Sequence, residues 1–239
     1  MKRIYSGVLA LMVAMATLAA PALAAPRAPQ IAFGSGPLQA RLNGFGESIN
    51  VLTQQQEGLV WGSTISTNST MTIQFELSGN PHHNEIGIAK LNAGGNAVTG
   101  LVPVFTSAPG SFNNTDTGWF AVASFRPGNL LVVNLFDQSA ALRSITTVGG
   151  VDRTHFAYYL SNSTGTFYSH DGFNLDLKAH ALAYMGNGQN TGGWWLCWED
   201  APIVNYANAD FDDATVFMES LNPTPVSHTT WGKVKSRFR

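Results

Sequence analysis

Cross-links and charge are both scarce in this chain. Its 239 residues include one cysteine, Cys197, and only 12% are charged. A lone cysteine excludes an intrachain disulfide, so stability must come from a core or from bound ions. After the amino-terminal apolar run no segment approaches spanning length, which excludes a further membrane helix. Helical periodicity is almost missing. Residues 199–219 contain no Lys or Arg, yet hold Glu199, Asp200, Asp210, Asp212, Asp213 and Glu219.

What is present begins with an export signal. Lys2 and Arg3 precede an apolar run over residues 4–20, and Ala22-Leu23-Ala24 offers the small residues a signal peptidase needs. Cleavage is expected after Ala24, because a cut after Ala25 would put Pro26 at the scissile bond. A retained anchor is the alternative; the run's length and its small-residue ending favour removal. The chain divides into a signal peptide over 1–24, one domain over 25–222 and a basic tail over 223–239. The expected location is outside the cell or on its surface, with the periplasm also open, and the mature form carries no transmembrane anchor.

Removing the signal leaves 11 basic residues against 15 acids, a formal charge of −4. Lys233, Lys235, Arg237 and Arg239 crowd the last seven positions, so the body before them stands at −8. Such a body lacks the basic face that phosphate attraction requires, which argues against nucleic acid as a partner and suits a counter-cation.

The body has the period of strands. Residues 71–78 alternate apolar and polar, placing Met71, Ile73, Phe75 and Leu77 on one face of a half-buried strand. Comparable runs cover 59–66, 119–125, 130–136, 155–160, 180–185, 194–198 and 215–219, separated by Gly, Asn, Pro and Ser clusters. Many short strands between turn signals predict an all-β fold, an antiparallel β-sandwich that is jelly-roll-like. In run 194–198, alternation sends Trp194, Leu196 and Trp198 to one face and Trp195 and Cys197 to the other. These rings therefore read as core, and Cys197 as an inert core thiol.

Five of the carboxylates, Glu199, Asp200, Asp210, Asp212 and Asp213, would repel one another unless solvated or neutralised. A strand over 212–219 places Asp213, Thr215, Phe217 and Glu219 on one face. Asp210 and Asp212 then stand at its entrance, pointing the same way, opposite Glu199-Asp200 at the exit of the preceding strand. Carboxylates converging from two loops suit calcium, which accepts six to eight oxygens flexibly. Magnesium demands a stricter octahedron, and zinc prefers His or Cys, which the cluster lacks.

The run 194–200, followed by Asp210-Phe211-Asp212-Asp213-Ala214-Thr215-Val216, resembles the hallmark of the DUF4114 family, in which an apolar strand ends in Glu-Asp and Asp-Phe-Asn-Asp follows a short loop. Phe173-Asn174 with His180-Ala181-Leu182, and the 71–77 strand leading to Asn84-Glu85-Ile86-Gly87-Ile88, are similar to further parts of it. The resemblance covers most of the mature body and is sharp from about residue 174 to 219. It implies a β-rich, calcium-associated, non-catalytic module of secreted bacterial proteins, found alone and inside large surface adhesins. It implies as ligands or their close neighbours Glu199, Asp200, Asp210, Asp212 and Asp213, with Asn208 as a further oxygen donor. Asn208 stands where the family usually has Asp, and Asp212 where it has Asn, so the total site charge is similar.

The expected function is thus an exported calcium-binding module with a structural or adhesive role, its further partner a cell-surface or extracellular polysaccharide or protein. A carbohydrate-binding lectin is the alternative, and a glycoside hydrolase using paired carboxylates a more distant one. His82-His83 with Glu85 reads as an exposed polar loop before a transition-metal site. The sequons at Asn68, Asn113 and Asn162 read as surface turns. In the tail, Trp231, Val234 and Phe238 share one helical face; an envelope-binding or sorting end and a frayed terminus are equal readings.

Overall fold

Alternating apolar residues fold the chain into two antiparallel sheets packed face to face. The computed structural model describes residues 24–63, 68–76, 84–106 and 118–224; the expected signal segment up to residue 23, His82-His83, the sequon at Asn113 and the tail from residue 225 lie outside these. The strands are β1 (Val60–Gly62), β2 (Asn68–Glu76), β3 (Glu85–Leu91), β4 (Val98–Phe105), β5 (Phe120–Arg126), β6 (Leu130–Phe136) and β7 (Leu142–Val148). They continue with β8 (Phe156–Asn162), β9 (Gly165–Tyr168), β10 (Ala181–Met185), β11 (Trp194–Trp198), β12 (Ala214–Glu219) and β13 (Asn222–Thr224). Among the described residues a single α-helix, α1 (Gly36–Gly44), precedes them. One sheet runs β10-β11-β12-β2-β5-β6-β7 and the other β13-β1-β8-β3-β4, with β9 extending the line of β1 along β8.

The predicted β-sandwich is therefore the fold. The predicted strands 130–136 and 194–198 match β6 and β11 end for end. The expected boundary at residue 222 falls inside the sheet, because Asn222–Thr224 pairs with β1. The sequon at Asn162 closes β8, and its amide nitrogen donates to Asn84 Oδ1 and to the Asp200 carbonyl, so it is built into the structure instead of standing free in a turn.

Between the sheets lie Trp61, Ile86, Phe105, Leu131, Trp194 and Trp198, among others. Trp61 meets the edges of Trp194 and Tyr158, each at 5.7 Å between ring centroids, a favourable quadrupole arrangement. A second layer covers the outer face of β10, β11 and β12. Here Phe33, Leu38, Leu42 and Ile49 pack on Leu182, Tyr184, Trp195 and Cys197. β11 is consequently buried on both faces, which is why its sequence is apolar throughout.

Buried polar groups pin this outer layer. Glu47, only 3% exposed, accepts hydrogen bonds from Trp195 Nε1 at 2.7 Å, Asn190 Nδ2 at 2.8 Å and the Asn187 amide at 2.8 Å. Gln55 donates to the Ile31 and Val51 carbonyls and accepts from the Ile31 amide. Glu47→Ala orphans three donors at once and is expected to lower the unfolding free energy by about 3 kcal/mol, with Glu47→Gln milder because the amide keeps one acceptor oxygen. Urea unfolding of the two variants against the parent checks the ordering.

Candidate metal centre

The pairing of β11 with β12 builds the site. Trp198 lies opposite Ala214, so the residues just beyond, Glu199 and Asp213, emerge side by side at one end of the sandwich. The Asp213 amide donates to the Trp198 carbonyl at 3.2 Å, continuing the ladder one step past the strands. The Asp200 amide donates to Asp213 Oδ2 at 2.8 Å, and the Asp210 amide to Glu199 Oε2 at 3.1 Å, which fixes both carboxylates.

One ligand atom each from Glu199, Asp210 and Asp213 lies within 4.8 Å of the others. Calcium–oxygen bonds of 2.3–2.6 Å put two oxygens on one ion at most about 5 Å apart, so the three carboxylates fit a shared ion, with carbonyls or water filling the remaining positions. Asn208 lies on the exposed rim of an adjoining cavity of about 230 Å³ that Glu199 also lines.

Asp212 and Asp200 stand outside this trio. Asp212 is 4% exposed and takes Arg41 of α1 as partner, with Nε at 2.7 Å and Nη2 at 2.6 Å. Asp210 and Asp212 stand next to each other, as expected at the strand entrance, and Arg41 is bound to Asp212. Phe211 between them has a left-handed φ of 54°. Its fully buried ring, edge-on to Phe33 at 4.9 Å, holds that conformation in place. Asp200 Oδ2 accepts from Asn84 Nδ2 at 3.0 Å, and its carbonyl accepts from Asn162 Nδ2 and Thr164 Oγ1. The residues whose part at this end sequence reasoning missed are therefore Arg41, Asn84, Asn162 and Thr164; Asn84 stood out only in a family-like segment and Asn162-Ser163-Thr164 only as a sequon.

The electrostatics follow from burial and crowding. Burial is the main cause that pushes Glu199 up to about 7, and the Asp210 and Asp200 charges add to it against the hydrogen bond from the Asp210 amide. Asp213 is pushed up to about 8, again chiefly by burial, with Asp200, Glu199 and Asp210 as repelling neighbours. Asp210 is raised by burial and then by the adjacent Asp212 carboxylate. Cys197 is fully buried, and the same desolvation raises its thiol, in keeping with an inert core residue.

Trp194, Trp195 and Trp198 are each no more than 2% exposed, so they form no platform beside the acidic loops. Asn174 and His180 are buried too: Asn174 bridges the Tyr168 and Lys178 backbones, and His180 stacks on Phe167 at 4.2 Å. Comparison of the chain with protein-family models, curated proteins and solved structures produced no match.

The raised values set a pH dependence. Folded Glu199 and Asp213 hold protons more tightly than an unfolded carboxylate, so their contribution to stability is full below pH 4 or so and is lost as pH rises through about 7 and 8. The metal-stripped protein is expected to melt on the order of 5 °C lower at pH 8.5 than at pH 5 from this cause. Asp213→Asn should flatten the slope. Thermal melts in EDTA across that range check both statements.

Proposed function

We propose that this protein is an exported, calcium-binding β-sandwich with a non-catalytic structural or adhesive role outside the bacterial cell. The observation that carries the reading is the convergence of Glu199, Asp210 and Asp213, whose ligand atoms lie within 4.8 Å of one another. The neighbouring guanidinium, Arg41, is engaged by Asp212. A divalent cation would offset the mutual repulsion of the trio, displace the protons held there and lock the loops at this end of the sandwich. The DUF4114-like motif supplies the expectation of a secreted module with a surface polysaccharide or protein as partner. Burial of the three tryptophans favours the structural role over the lectin, which needs exposed rings next to the ion.

The test is a thermal melt of residues 25–239 at pH 7.5 with calcium, magnesium or EDTA. Calcium is expected to raise the midpoint by mass action on the folded state, and magnesium to do so less. Asp210→Ala and Asp213→Ala should each abolish the calcium effect, whereas Glu219→Ala, at the far end of β12, should leave it intact. Equal midpoints in calcium and EDTA would overturn the assignment.

A further inference from the structure

An outer strand presents unpaired amides and carbonyls, and proteins normally blunt such edges. Among the described residues five strands are outer, and four of them are blunted: β9 is only four residues long, and Asn174 takes its Tyr168 amide and carbonyl. Along β10 runs Gln56, whose amide donates to the Ala183 carbonyl at 2.8 Å. The β13 strand is three residues long and contains Pro223. Pro103 interrupts β4, which also shifts register twice against β3.

The fifth, β7, has none of these devices along most of its length. It spans Leu142–Val148 without Gly or Pro, and among the described residues it pairs only with β6. A single register shift near Leu142 gives way to a regular ladder from Ser144 to Val148. Ile145 is 61% exposed and Leu142 51%. The apolar surface continues inward on the same outer face through Phe136 and Phe120, stacked at 4.9 Å and only partly buried. The layer that covers β10 to β12 does not extend to these residues.

We propose that β7 is a self-association edge, pairing antiparallel with β7 of a second copy about a two-fold axis at Ile145 and joining two seven-stranded sheets into one. A two-fold interface must be complementary to itself, and this strand is. In that register Ile145 meets Ile145, Ser144 meets Thr146, Arg143 meets Thr147 and Leu142 meets Val148. Most of these residues are β-branched or otherwise suited to cross-strand packing, and no like charges face one another. The one charge on the strand, Arg143, is balanced within its own hairpin by Asp137. That carboxylate is held in turn by the Ser139 hydroxyl at 2.7 Å and the Ala141 amide at 3.0 Å.

Sedimentation velocity of residues 25–239 over a dilution series tests the proposal, and a dimer is the expected species. Ile145→Lys sets two ammonium groups face to face at the axis and should weaken the dimer at least about tenfold, a loss of about 1.4 kcal/mol or more. Leu101→Lys, at an exposed site on β4, should change nothing. Ile145→Cys should cross-link to itself under oxidation, with Cys197 buried and silent. A monomer at every concentration, a dimer indifferent to Ile145→Lys, a dimer lost with Leu101→Lys, or an Ile145→Cys variant that forms no cross-link would each overturn it, circular dichroism having shown every variant folded.

Discussion

The outer face of β10, β11 and β12 is too apolar to stand in water, and the manner of its covering decides where the acidic loops sit. Each large side chain fully buried there stabilises the fold by about 1.5–3 kcal/mol. The covering helix α1 is only nine residues long and begins and ends in glycine, so it would not persist alone. It is held by Leu38 and Leu42 against the sheet and by the buried acceptors that receive the Trp195 indole and the Ile31 amide. Arg41 rides on the same helix, and through Asp212 it ties the layer to the loop that leads into β12.

That tie divides the carboxylates by role. The Arg41–Asp212 pair satisfies Asp212 within the protein, while its neighbours two residues back and one residue on converge with Glu199. The left-handed Phe211 within this loop costs roughly 1–3 kcal/mol in backbone strain, which its ring burial offsets. The polar network around Asp200 does comparable work from the other sheet. Asn84, Asn162 and Thr164 reach across from β8 and the start of β3, so the end of the sandwich is a joint between both layers.

How far the sequence revealed this depended on the range of the interactions. Strands buried on one face, such as β6, announce themselves by alternation, and β11 by its unbroken apolar run between turn residues. By contrast β9 and β13 are too short to show a period, β7 has an exposed face on both sides, and α1 offers only one Leu–Leu pair at helical spacing. The density of acids from Glu199 to Asp213 was plain in the chain, as was the turn of Trp194 and Trp195 to opposite faces. The selection of three acids out of five was not, because it rests on Arg41 and Asn84, which come from residues 171 and 116 positions away in the hydrogen-bonded pairs. No local pattern encodes a partner at that distance.

At the centre of the larger sheet, β2 is flanked by β12 on one side, so Met71 pairs with Met218 and Thr70 with Glu219. Across the gap, β1 and β13 repeat the arrangement, with Val60 opposite Thr224. Both pairings join strands from the two ends of the domain, and closing such wide loops carries a large entropic cost before any contact rewards it. A chain lacking its last fifth would therefore leave β2 paired on one side only, with β5.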